Sequence, residues 1–160
     1  MDSKNGNIGF NLLIAAIVAV DQMVKYWVDA YLSLDESIPV IPGIFHITYV
    51  QNTGAAFSLC SGQAGTLVIF TGLVILLLLA YFEKNAATMA KSLRLCFTLI
   101  IAGGAGNLID RVVRGFVVDF FDFRIWPVFN IADIAICAGC GLLMFYILVL
   151  EPRAKKNDKG

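Results

Sequence analysis

Residues 64–82 read AGTLVIFTGLVILLLLAYF, an apolar run without one charged side chain and long enough for a helix to cross the hydrocarbon core of a bilayer. Two further runs resemble it: Leu95–Ile109, which ends in small residues, and Ile131–Leu150. A fourth, Ile8–Val28, is interrupted by Asp21, Gln22 and Lys25. Lys4 before an apolar run followed by small residues also fits a cleaved signal peptide, but the continuation into Tyr26, Trp27 and Val28 favours a retained span. With 59% hydrophobic and 15% charged residues, the 160-residue chain reads as an integral membrane protein of the all-α class. The expected architecture is a bundle of four transmembrane helices over about 8–28, 64–82, 93–110 and 130–150. One membrane domain accounts for residues 1–160, ending in a polar, basic tail at 151–160.

Twelve basic and twelve acidic residues cancel, so no net field draws the chain to nucleic acid. Placement matters more. Four spans put Lys4, Lys84, Lys91, Arg94, Arg153, Lys155, Lys156 and Lys159 on one side. Residues 29–63 of the other side hold no Lys or Arg, and the second outer segment holds Arg111, Arg114 and Arg124. The positive-inside rule therefore places both termini in the cytoplasm, a vote that the three arginines weaken without reversing.

Four cysteines include a C-x-x-C at Cys137 and Cys140, but both fall in the last apolar helix and read as structural thiols in a packed helix. Cys60 and Cys96 are expected on opposite sides of the membrane. His46 is the only histidine, which excludes an H-E-x-x-H zinc protease.

Between the first two spans the chain changes character. Pro39, Pro42 and Gly43 break any helix, and IFHITYV is rich in β-branched and aromatic residues, so one or more short strands are expected at the outer surface. They stop at the turn-prone Asn52-Thr53-Gly54. Such a segment suits either an extended peptide held by main-chain pairing or a sheet that merely caps the bundle.

Chemistry concentrates in the last third of the chain. GGAGNLIDR closes the third span at Gly103–Arg111; its small residues allow close helix approach, and it lacks the lysine of a phosphate loop. Asn107 and Arg111, four apart, share a helical face, from which Arg111 could reach an outer carboxylate or a lipid phosphate. Asp119, within VVDFFD, lies in an apolar interfacial segment between the third and fourth spans, with Asp122 as its rival. The two share a face if that segment is helical and oppose each other if it is extended. Asn130 and Asp133 have N-cap and N3 spacing at the start of the last span, so Asp133 reads equally as a helix-capping carboxylate and as a functional one. Asp21 and Lys25, four apart on the first span, read as an ion pair that lowers the cost of insertion.

Carboxylates near hydrocarbon are costly and ask for a reason. Two that converge share one proton and can act as general base and general acid, the chemistry of an aspartic protease. A proton relay through Asp21, Asp119 and Asp133 in a small transporter, and a noncatalytic lipid-binding factor, are the readings from other classes. The transporter reading meets acids clustered at one end and no internal repeat.

Five motifs together closely resemble the lipoprotein signal peptidase family, also called signal peptidase II. They are DQMVK at Asp21–Lys25, NTGAAFS at Asn52–Ser58, GGAGNLIDR at Gly103–Arg111, VVDF at Val117–Phe120 and FNIAD at Phe129–Asp133, in the family's order and across most of the chain. The resemblance implies a multi-pass aspartic endopeptidase of the bacterial cytoplasmic (inner) membrane, with an extracytoplasmic β-cradle and an active site near that face. It implies diacylglyceryl-modified prolipoproteins as substrates, cut just before the lipid-bearing cysteine. It also implies sensitivity to cyclic peptides of the globomycin type and no metal or organic cofactor. By position, Asp119 and Asp133 match the catalytic dyad. Asn52, Gly54, Asn107, Asp110, Arg111, Asn130 and Ala132 match residues that line or support the site, and Asp21 with Lys25 matches a mainly structural motif. Membrane lipids are the other expected partners, and a monomer is the expected state.

Overall fold

The computed structural model describes residues 2–54 and 64–152, with side chains for residues 7–54 and 65–152. The Lys4 side chain, the Ala55–Ser58 portion of the second motif, Cys60 and the tail from Arg153 onward lie outside the described residues. Four helices are long and apolar enough to cross a membrane: Asn7–Tyr31 within α1 (Asp2–Tyr31), Gly65–Asn85 within α2 (Ala64–Asn85), α3 (Lys91–Val113), and Ile131–Leu150, which joins α4 (Ile131–Phe145) to a π-helical end at Tyr146–Leu150.

Helix α2 is apolar all round and turns Ile69, Phe70, Leu76 and Leu77 outward, as a helix solvated by lipid does. Helix α3 is the axis of the bundle, packing against α1, α2 and α4. Glycines set the α3–α4 approach. A Cβ on Gly139 would lie 2.8 Å from Ile100 Cγ1 and 2.9 Å from the Cys96 carbonyl oxygen, and one on Gly103 would collide with the Ala132 carbonyl oxygen. Without a hydrophobic force between helices in lipid, such backbone contact is what holds them. Ile75, Phe82, Met89 and Ile101 form a core toward one end, and Val28, Leu32, Tyr49, Val118 and Phe120 form another beneath the sheet.

The sheet has three antiparallel strands in the order β1 (Ser37–Ile41), β2 (Phe45–Asn52), β3 (Val117–Asp122). It joins the C-terminal end of α1, the C-terminal end of α3 and the N-terminal end of α4. Gly43, at φ 74°, makes the turn between β1 and β2. The segment expected between the third and fourth spans folds as strand β3, the extended alternative. Val117, Val118, Asp119 and Phe120 are all buried, so both faces of the strand are covered and no apolar–polar alternation announces it.

One expectation about cysteine is corrected. Cys137 and Cys140 are exposed on α4 rather than packed, whereas Cys96 is buried and its thiol donates to the Ser92 carbonyl at 3.1 Å. All three are free thiols.

Candidate active site

Backbone pairing brings the two candidate aspartates to one place. After β3 the chain turns through Arg124, at φ 65°, and returns so that Phe129 pairs with Phe121: Phe121 N donates to Phe129 O at 2.8 Å, and Phe129 N to Phe121 O at 3.1 Å. The rings of Phe123 and Phe129 stack at 5.9 Å and hold the turn closed. Asn130, next in sequence, therefore lies beside Asp119 and at the same time caps α4. Its side chain accepts from Asp133 N at 2.9 Å, and its backbone N–H donates to Asp133 Oδ2 at 3.2 Å, a complete capping box. Its amide donates to Asp119 Oδ1 at 2.6 Å. One asparagine side chain thus touches Asp119 and the first turn that carries Asp133. Capping and functional readings of Asp133 are compatible.

Further amides complete the arrangement. Asn52, at the end of β2, donates to Asp119 Oδ2 at 3.0 Å, and Asn107 of α3 donates to Asp133 Oδ1 at 2.8 Å. Asp119 is 2% exposed, and burial pushes its carboxyl up from 3.8 to about 6. The hydrogen bond from Asn52 opposes that rise, the Asp133 charge adds to it, and Asn130 and the Lys25 charge oppose it. A carboxyl so placed keeps its proton far better than an ordinary aspartate.

Asp122, the rival candidate, takes the other direction. In an extended strand it faces away from Asp119, accepting from Thr48 Oγ1 at 2.8 Å and from Arg124 through its backbone N–H and guanidinium, each at 2.8 Å. Burial works against the charge on Asp122, but these donors outweigh it and hold the carboxyl below its ordinary value.

The supporting residues each have a place. Gly54, at φ 76°, donates its N–H to Asn52 Oδ1 at 2.9 Å, closing the turn that aims Asn52. Buried Ala132 donates its N–H to Asp21 Oδ1 at 2.9 Å. Asp21 pairs with Lys25 at 2.9 Å, as its spacing predicts, and both are fully buried. Asp110, also buried, pairs with Lys25 at 3.0 Å and accepts from Val118 N at 3.0 Å. Arg111 lies beside Asn52 in the lining of a small pocket. Arg111 Nη1 donates to the Asn107 carbonyl at 3.3 Å, which puts the two on one helical face, and the arginine that grips carboxylates is Arg114, bound to Asp110 and 3.6 Å from Asp29. Gln22, Asp29, Tyr49 and Arg114 were not among the candidates. The spacing of Asp110 and Arg114, four apart on one helix, was their one readable signal.

Asp133 lies at the edge of a groove of about 580 Å³ lined by Trp126, Phe129, Ile134, Ile136, Cys137 and Ala138. Among the described residues no cluster of three or more His, Cys, Asp or Glu side chains is arranged to hold a metal ion. Two carboxyls linked through Asn130, one of them favouring its proton, beside an apolar groove at one end of four membrane-crossing helices, fit a membrane-embedded hydrolase of the paired-aspartate class.

Comparison with known proteins narrows this class. Residues 13–149 match the family model described as Signal peptidase (SPase) II. A lipoprotein signal peptidase of Halothermothrix orenii is 44% identical over 85% of this chain and 92% of its own length, and one of Trichormus variabilis is 46% identical over 91% and 94%. A solved structure of a bacterial membrane enzyme superposes with a TM-score of 0.81 at 34% identity, covering 88% of this chain and 93% of that one. The chain belongs to the signal peptidase II family of aspartic peptidases and is a bacterial multi-pass membrane protein.

Proposed function

We propose that this peptidase removes the signal peptide from diacylglyceryl-modified prolipoproteins by cutting just before the lipid-bearing cysteine, with Asp119 and Asp133 as the catalytic dyad. The observation that carries the assignment is the Asn130 side chain, which hydrogen-bonds Asp119 while capping the helix turn of Asp133. The names of the relatives support the substrate class. The apolar groove beside Asp133 supports a substrate that arrives laterally from the bilayer with its acyl chains still in lipid.

Asp119, which favours its proton, is the acid, and Asp133, at the groove, is the base. Asp133 takes a proton from water as the water oxygen adds to the scissile carbonyl carbon. Asp119 gives its proton to the amide nitrogen as the C–N bond breaks, releasing the amine of the lipidated cysteine. Transfer of the proton gained by Asp133 to Asp119 restores the dyad. Asn52, Asn107 and Asn130 hold the carboxyls so that little reorganisation accompanies these transfers.

The distribution of Lys and Arg supports both termini in the cytoplasm, insertion in the cytoplasmic (inner) membrane and an active site near the extracytoplasmic face. The deciding experiment is cleavage of a purified lipidated prolipoprotein by Asp119→Asn and Asp133→Asn. Each variant should remain folded in the membrane and lose activity by about a thousandfold or more. Substantial cleavage by either one would remove that residue from the dyad.

A further inference from the structure

Lys25 is fully buried, and its ammonium group has three protons to place. It places them on Asp21 Oδ2 at 2.9 Å, Asp110 Oδ2 at 3.0 Å and Asn107 Oδ1 at 2.9 Å. An insertion pair needs one of these contacts. The destinations of the three acceptors carry more information. Asp21 accepts, through its other oxygen, the N–H of Ala132, the residue before Asp133. Asp110 accepts the N–H of Val118, the residue before Asp119. Asn107, with its amide oxygen turned to Lys25, directs its NH₂ to Asp133 Oδ1 at 2.8 Å.

We infer that Lys25 is a positioning residue of the peptidase, a three-armed hub that fixes the backbone under each dyad aspartate and the amide that binds Asp133. If Lys25 only neutralised Asp21, the other two arms would have no consequence. Instead each arm ends one bond from the reacting pair. Asn107 is the clearest case: an asparagine amide can flip, and the Lys25 cation at its oxygen, together with the Asn130 amide that donates there at 3.1 Å, leaves the NH₂ face for Asp133. The charge also matters to Asp119, which is faced by Lys25 from α1, by Asp133 and Asn130 from the start of α4, and by Asn52 from β2. Gly106 makes room for the hub, since a Cβ there would lie 2.7 Å from Asp21 Oδ2.

The inference rests on the assignment of Asp119 and Asp133 as the dyad. Lys25→Met alone leaves the buried Asp21 carboxylate without a cation and is expected to accumulate poorly. The informative variant is Lys25→Met combined with Asp21→Asn. It removes one charge of each sign, leaves Asp110 paired with Arg114, and keeps an oxygen at position 21 for Ala132 N–H. In lipid vesicles with a lipidated prolipoprotein peptide, this double variant should fold with KM within about twofold of wild type. Its kcat should fall by about a hundredfold, the scale of losing positioning at a reacting centre. The fall of kcat/KM at high pH should move upward as the Lys25 charge is lost. Wild-type kcat with an unmoved pH profile would overturn the inference. So would a double variant that does not fold, because Lys25 would then serve the bundle rather than the dyad. Either result, obtained while Asp119→Asn and Asp133→Asn are inactive, refutes the hub and leaves the dyad standing.

Discussion

Asn52→Ala tests the electrostatics of the dyad from the side where the structure is simplest. Asn52 sits at the exposed end of β2 and gives Asp119 one hydrogen bond, at 3.0 Å, that favours the ionised carboxylate. With Asp119 as the acid, kcat/KM of the free enzyme falls as pH rises through about 6. Removing a donor to an ionised group costs roughly 1.5–3 kcal/mol, and water reaching this exposed position offsets part of that, so about 1.4 kcal/mol is expected. At 1.36 kcal/mol per pKa unit, the high-pH limb should move up by about one unit, to near pH 7. The assay is kcat/KM on a lipidated peptide in detergent–lipid micelles from about pH 4 to about pH 9. The rate at the optimum should fall, because the acid is less firmly aimed, while the limb shifts. A limb that stays in place, or moves to lower pH, would refute the reasoning, because the Asn52 bond then does not favour ionised Asp119.

Three other outcomes follow from the geometry. Asp122→Asn should keep cleavage within about twofold of wild type and cost about 1 kcal/mol of stability through the weakened Arg124 and Thr48 contacts, read from thermal unfolding in detergent. Gly106→Ala should cost about 1–3 kcal/mol by overpacking, and should depress activity more than stability because the added methyl presses on Asp21 and on Ala132 Cβ at 3.2 Å. Folded Asp119 holds its proton to about 6, against 3.8 in the unfolded chain, so between those values the folded state binds more protons and stability falls as pH rises. The contribution is fully present below 3.8 and lost through 6, about 3 kcal/mol in all, and the pH slope of Tm should be flatter in Asp119→Asn than in wild type.

What the residues disclosed before folding, and what they hid, divides along a physical line. Local patterns were legible: the uninterrupted run at 64–82, the strand-forming FHITYVQN, and the Asn130–Asp133 spacing that became a capping box. Asp119 and Asp133 stood out as candidates because charge is expensive in such a chain and because the order of five motifs carried family information. Strand β3 was hidden by burial on both faces, which erases the alternation a surface strand shows. Arg114 was missed as the partner of Asp29 and Asp110 because a three-residue offset on α3 decides which arginine meets them, and that face is set by α1 rather than by α3 itself. The reach of Lys25 was hidden for the same reason: two of its three acceptors lie on α3, far away in sequence.

The Phe121–Phe129 pairing has a consequence for how such an enzyme is made. No membrane crossing lies between Asp119 and Asp133; the chain leaves α3, forms β3, doubles back and enters α4 without traversing the bilayer. Both acids therefore come to the same side of the membrane together, as one short loop, whichever way the α3–α4 hairpin inserts. An error in orientation during synthesis would send the whole pair to the wrong compartment but would never separate its members. Biogenesis has only one decision to make about the side on which this pair stands.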